Sequence, residues 1–239
     1  MTDINNILQA TNHRPYQLPN GQWTYYQEWN RAVFLHWKVP VATLRPHVPH
    51  ELKIDTFEGS AYVSLVAFTM EGIRPRYLPS VKFISCFDEI NLRTYIDHGH
   101  RKGVYFLSIE AGKLLSSIVA RRLSGLPYEK SDIIRTGNRY HSENSKKSFR
   151  LNLSYHIGER IAEKTALDHW LTERYCLYID QRQQVYRYDI HHKPWELNHV
   201  SIDNQAFDYR VGDFNLAAVP DLTHYSNGVN VIAWKQVKV

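Results

Sequence analysis

Glu89, Asn91, Arg93 and Tyr95 alternate through the stretch Asp88 to Asp97. In an extended backbone successive side chains point to opposite faces. These four therefore share one face, and Ile90, Leu92, Thr94 and Ile96 share the other. A face this polar either meets water or lines a cavity inside a barrel, where alternate residues point inward. Inside a cavity, a carboxylate beside a guanidinium can orient a carboxylate or carbonyl compound through charge-assisted hydrogen bonds. Histidine is the next candidate, with thirteen in the chain. His98 and His100 bracket Gly99, while His191 and His192 are adjacent and would face opposite ways in a strand. Neither pair has further ligands at a metal-binding spacing and no HExxH occurs, so no metal is expected. The segment His191 to Leu197, HHKPWEL, can still place one histidine in a cavity as an acid–base or hydrogen-bonding group.

Other chemistries lack their signatures. Without a GxSxG elbow there is no case for a serine hydrolase. No GxGxxG or phosphate loop calls for a nucleotide, and no cofactor is expected. Cys86 and Cys176 sit among apolar or aromatic neighbours and read as reduced core thiols. The densest basic stretch, Arg139 to Arg150, includes Lys146 and Lys147 and one acid, Glu143. It reads as a solvated loop and strand face, and nucleic acid is not the expected partner.

The elements that must position these residues are mostly strands. Arg31 to Lys38 alternates around Val33, Leu35 and Trp37. Lys53–Asp55 and Ala61–Met70 form an expected hairpin about Gly59, followed by a loop from Gly72 to Ser80. Further strands are expected at 88–97, 104–109, 131–142, 147–156, 174–181, 184–191 and 229–237. Short helices are expected near the N-terminus, where Ile4, Ile7 and Leu8 share a face, after Pro40, and at Thr165–Leu171 with Thr165 as N-cap. Lys113 to Leu123 has helical spacing and ends at Gly125 and Pro127. With no βαβ alternation, the fold class is α+β, predominantly antiparallel β, curved into a barrel or paired sheets.

Bulk properties agree. The 239 residues carry a net charge of +5 and include 16 Tyr and 6 Trp, aromatic residues that favour strands. One domain spanning 1–239 is expected, because no repeat, linker or low-complexity tract divides the chain. The N-terminal residues lack a signal-peptide pattern, and the longest apolar run, Ala61 to Met70, is about half of what a membrane helix needs. A cytoplasmic protein without membrane contact is the resulting expectation.

Several segments together carry a family resemblance: WNRAVFLHWKVPVATLRPHVP, LKIDTFEGSAYVSLVAF, FDEINLRTYI with KGVYFLSIEA, ARRLSGLPYEK, LTERYCLYI, HHKPWEL and LTHYSNGV. From about Trp29 to Trp234 the chain resembles the uncharacterised YqjF-like bacterial family, which is similar to the acetoacetate decarboxylase superfamily. The resemblance implies a β-rich α+β barrel or cone with a central pocket and a few short helices. Those decarboxylases use a lysine Schiff base, with a second lysine beside it that lowers its pKa. Here Tyr128 falls on the nucleophilic lysine and Glu129 on its partner. Arg31 and Glu89 fall on the family's pocket arginine and pocket glutamate, and a second pocket glutamate is replaced by Ser64 or a neighbour. Lys130 is two residues past Tyr128 and should point elsewhere.

A phenol forms no imine but can donate a hydrogen bond to a carbonyl or enolate oxygen. The resemblance therefore implies the pocket without the Schiff-base reaction. Strand parity and family position add Asn91, Arg93, Tyr105, Arg121 and His192 to Arg31 as ligand-binding residues. The leading expectation is a protein that binds a small anionic or carbonyl-bearing ligand. One alternative is a non-covalent enzyme with Glu89 as acid–base and Tyr128 as oxyanion donor, acting in enolisation, hydration or aldol-type chemistry. Another is a basic nucleic-acid or protein interaction module. The superfamily likeness makes a homo-oligomer possible.

Overall fold

Alternation along the strands sets the architecture. The computed structural model describes residues 4–81, 85–112, 128–216 and 219–239. After α1 (Ile4–Gln9), the long strand β1 (Tyr25–Val39) leads through α2 (Val41–Leu44) to β2 (Ala61–Pro75), β3 (Phe87–His98) and β4 (Arg101–Ala111). A short β5 (Glu129–Lys130) precedes β6 (Asp132–Thr136), β7 (Arg139–Asn144) and β8 (Phe149–Arg160). The helix α3 (Ala166–Thr172) is followed by β9 (Cys176–Asp180), β10 (Val185–His191) and β11 (Asn198–Asp208). Next come β12 (Arg210–Val211) and β13 (Phe214–Asn215), which pair only with each other, then β14 (Leu222–Ala233) and β15 (Val237–Lys238).

The pairing order β10–β9–β4–β3–β2–β1–β14 returns to β10 through Ile190 opposite Ala233 and His191 opposite Ile232. The result is a cone-like ring of mostly antiparallel strands. Beyond β14 the sheet continues through β11, β8, β7 and β6, which fold back as a second layer over part of the ring. Apolar residues sort accordingly. Val33, Leu35, Leu65, Ile90 and Leu92 leave the ring's outer face and pack against Leu151, Leu153 and Phe207 of the second layer. Phe34, Val66, Phe68, Ile109 and Ile190 fill the interior instead. Both faces of β3 are thus buried, and its polar face looks into the ring.

Local chemistry fixes the details. Thr165 caps α3: its hydroxyl accepts from Asp168 N, and the Asp168 carboxylate accepts from Thr165 N, a capping box worth about 1 kcal/mol. At Gly103 a Cβ would stand 2.4 Å from the Cys176 carbonyl oxygen, so only glycine lets β4 lie this close to β9.

Several boundaries differ from expectation. Lys53–Asp55 pairs with β3, through Ile54 opposite Ile96, rather than forming a hairpin with β2. The expected loop after Gly72 is partly strand, since β2 runs to Pro75. The expected strand 131–142 is two strands joined at Gly137, whose φ is +58°. The strand β11 was not expected at all. The helix expected at Lys113–Leu123 lies outside the described residues. Among the described residues no helix is long and apolar enough to cross a membrane.

Candidate functional site

The inward face of β3 carries Glu89, Asn91 and Arg93, which are 3%, 3% and 7% exposed. They border a small cavity of about 40 Å3, walled by Trp29, Phe34, Phe68, Phe106 and Trp195 and closed on one side by Tyr128. That volume takes a few water-sized groups. Tyr128 is brought there by β5, which runs parallel to the end of β4 with Glu129 opposite Glu110. Its phenol donates to Glu89 Oε2 at 2.9 Å, and Asn91 Nδ2 donates to Glu89 Oε1 at 3.2 Å.

Burial dominates the electrostatics here. Desolvation pushes the Glu89 carboxyl up from 4.5 to about 7, despite the opposing hydrogen bonds from Tyr128 and Asn91 and the nearby Arg93 charge. Desolvation, and then the Glu89 charge, hold the Tyr128 phenol well above its usual range, so it remains a proton donor. Arg101, Arg174 and Arg187 each have an aspartate within 4.0 Å. Arg93 has no such carboxylate among the described residues, and its Nε has no hydrogen-bond partner there; neither does Asn91 Oδ1. The site thus combines a carboxyl that titrates near neutrality, a fixed phenol donor and a buried guanidinium whose Nε has no partner among the described residues. No group of described residues could hold a metal through three or more His, Cys, Asp or Glu side chains.

A second polar cluster occupies the same interior. Asp168 Oδ1 accepts from His224 Nε2 at 2.9 Å; His224 Nδ1 lies 3.1 Å from His36 Nε2, and His36 Nδ1 lies 2.6 Å from Ser64 Oγ. Tyr95 ends the chain, 2.6 Å from Ser64 Oγ and 3.1 Å from the Leu171 carbonyl. A carboxylate only accepts, so with both rings neutral each imidazole carries its proton on Nε2 and Ser64 donates to His36. Burial lowers both histidine pKa values, and His36 lies well below its usual value. Composition gave one hint of this chain: His36 stands on the inward face of an otherwise apolar strand.

The expected site residues separate. Glu89, Asn91, Arg93 and Tyr128 meet at the cavity. Arg31 does not join them: it sits in a β-bulge of β1 with φ +53°, exposed, and its Nη2 donates to Thr69 Oγ1 on the opposite face of the wall. Tyr105 packs in the outer core, because a bulge at Leu107 opposite the Leu92–Arg93 step reverses the parity of β4 and turns Phe106 inward. His192 is buried behind the cavity wall, tilted against Tyr175 and edge-on to Trp195, with Nδ1 on the Lys193 carbonyl at 2.7 Å. Ser64 serves the histidine chain. Lys130 is exposed and pairs with Asp132 at 3.5 Å. Arg121 lies outside the described residues. In the basic stretch, Lys146 and Lys147 pair with Glu129. Trp29, Phe34 and Trp195 were not anticipated as walls.

The DUF2071 family of uncharacterized conserved proteins matches residues 26–230. The uncharacterized protein YqjF of Bacillus subtilis strain 168 is 35% identical over 228 residues, covering 91% of this chain and 93% of its own. Among solved structures, the fold is similar to an acetoacetate decarboxylase-like enzyme from Sphingomonas wittichii RW1, with TM-score 0.61 at 14% identity over 92% of this chain and 94% of that one. The enduracididine biosynthesis enzyme MppR complexed with pyruvate has TM-score 0.57 at 11% identity, covering 94% and 92%. The acetoacetate decarboxylase of Legionella pneumophila has TM-score 0.58 at 11% identity, covering 95% and 94%.

Proposed function

Because the chain belongs to the DUF2071 family and carries an acetoacetate decarboxylase-like fold, we propose that it binds a small carboxylate or carbonyl compound in the Glu89–Arg93–Tyr128 cavity. The observation that carries this reading is Arg93, a buried guanidinium with no carboxylate partner among the described residues. A buried charge that Tyr95 and the more distant Glu89 offset only in part is costly, and an anionic ligand reduces the cost. The aromatic walls exclude water and strengthen that attraction. A neighbour of the same fold is complexed with pyruvate, a ligand of this class. Tyr128 would donate to the ligand's carbonyl oxygen.

Glu89 favours a second reading, a non-covalent acid–base enzyme. A carboxyl titrating at about 7 is matched to moving a proton from a carbon next to a carbonyl at neutral pH. Tyr128 stays protonated and would hold the resulting enolate oxygen. No lysine lines the cavity among the described residues, so borohydride with acetoacetate should leave no adduct.

Titration calorimetry with pyruvate and acetoacetate tests the binding reading. Saturable binding is expected, lost in Arg93→Met with the fold intact; no heat from either compound would overturn it. Loss of the pyruvate methyl proton signal in D2O, followed by NMR, tests the enzyme. That exchange should vanish in Glu89→Gln while binding persists.

A further inference from the structure

Arg31 and Arg135 come from different layers of the molecule and meet at one hydroxyl. Arg31 Nη2 donates to Thr69 Oγ1 at 2.9 Å, and Arg135 Nη1 donates to the same oxygen at 3.2 Å. Thr69 and its partner Asp88 stand on the outer face of the ring wall, beside Ala67 and Ile90, whereas Phe68 and Glu89 face the cavity. The meeting point is therefore the seam between the ring and the second layer.

Three features of this seam call for an anion. First, two guanidinium groups converge there, and neither has a carboxylate within 4.0 Å among the described residues. Asp88 is the nearby acid, and its Oδ1 receives the Thr69 hydroxyl at 2.7 Å. Second, donors outnumber acceptors. Tyr155 accepts from Arg135 Nη2 at 3.1 Å, which leaves its own proton to donate. Tyr140, under the Arg135 guanidinium at 4.7 Å and only 2% exposed, has no partner for its hydroxyl among the described residues. Third, Arg31 adopts φ +53°, a conformation that costs a non-glycine residue free energy and recurs at binding sites. Beside this bulge β14 places Gly228 opposite Asn30, where a Cβ would stand 2.5 Å from the Trp29 carbonyl oxygen.

We propose that Arg31 and Arg135, with Tyr140 and Tyr155, form a binding site for a small oxyanion, a carboxylate or phosphate group, separate from the cavity. Two guanidinium forks aimed at one point suit the paired oxygens of such a group. With Asp88 present the charge surplus is a single positive unit, which matches a monoanion.

Thermal unfolding in HEPES at constant ionic strength tests this, with sodium phosphate or sodium acetate replacing sodium chloride. A saturable rise in Tm is expected with at least one of the two, and the stronger identifies the anion class. Arg135→Gln should weaken the apparent affinity at least about tenfold, the scale of one charge-assisted hydrogen bond. Arg31→Gly should raise the anion-free Tm, by relieving the backbone, and yet lose the anion response. A merely structural Arg31 would instead lower the Tm. The proposal falls if neither anion gives a saturable rise, or if the rise survives in both variants. It falls equally if the rise is lost only in Arg93→Met, because the anion would then occupy the cavity.

Discussion

Two polar clusters share the interior of the ring and differ in how completely they are satisfied. In the chain Asp168–His224–His36–Ser64–Tyr95 every side chain is hydrogen-bonded to the next. At the cavity, Arg93 Nε and Asn91 Oδ1 have no partner among the described residues. Folding alone explains the first cluster, since a buried polar network is stable when each member is satisfied. The second cluster is left incomplete, and an incomplete buried site is where a ligand contributes most.

This contrast predicts unequal costs. His36→Phe fits the aromatic surroundings but strands His224 Nδ1, a buried acceptor, and leaves Ser64 only Tyr95 as a partner, so it should cost about 2–3 kcal/mol. Asn91→Leu loses a single 3.2 Å bond to Glu89 Oε1, whose carboxyl can take up a proton instead, and removes an oxygen that is already unpaired, so it should cost about 1 kcal/mol or less. Urea unfolding at pH 7.5 measures both. Equal losses would erase the distinction between scaffold and site.

The clusters should also respond oppositely to pH. The pKa values of His36 and His224 are lowered in the folded state. Below 6.5 the unfolded chain therefore binds more protons at these rings, and their contribution to stability declines as pH falls through that window. Glu89 behaves inversely. Its folded pKa of about 7 exceeds 4.5, so the folded state holds the proton and stability declines as pH rises between those values. Glu89→Gln should consequently gain about 2–3 kcal/mol at pH 8 and little at pH 4. The Gln amide can donate to the unpaired Asn91 Oδ1 once that amide turns over. Unfolding curves across pH 4–8 check it, and an unchanged profile in the variant would deny Glu89 its raised pKa.

Much of this was legible along β3 and little of it elsewhere. Period-two alternation put Glu89, Asn91 and Arg93 on one face because β3 runs without a break through those residues. The same parity failed at Tyr105, since one bulge residue opposite the Leu92–Arg93 step turns the strand over. Bulges come from register against a partner strand, which single-strand periodicity does not contain. Arg31 was misplaced for the same reason. The strand β11 escaped notice because its sequence, NHVSIDNQAFD, is mostly polar and its pairing with β8 supplies the order instead. The histidine chain joins residues from β1, β2, β3, β14 and α3, contacts that exist only once the ring has formed.

The smallest expected effect separates a hydrogen bond from mere proximity at the cavity. Tyr128→Phe removes the donor to Glu89 Oε2 while keeping the ring that meets Phe87 edge-on at 6.3 Å. Its stability at pH 7 should change by less than about 1 kcal/mol, because the carboxyl can take up a proton once the bond is gone. The carboxyl itself should respond more clearly. That bond stabilises the ionised form, so without it the Glu89 pKa must rise further above 4.5 than the present value of about 7. Carbon-13 NMR of the Glu89 carboxyl across pH 5–9 reads the shift directly. A pKa that stays put would mean that the phenol fills space beside Glu89 without holding its charge, and the cavity would then lack the donor that the proposed ligand's carbonyl oxygen needs.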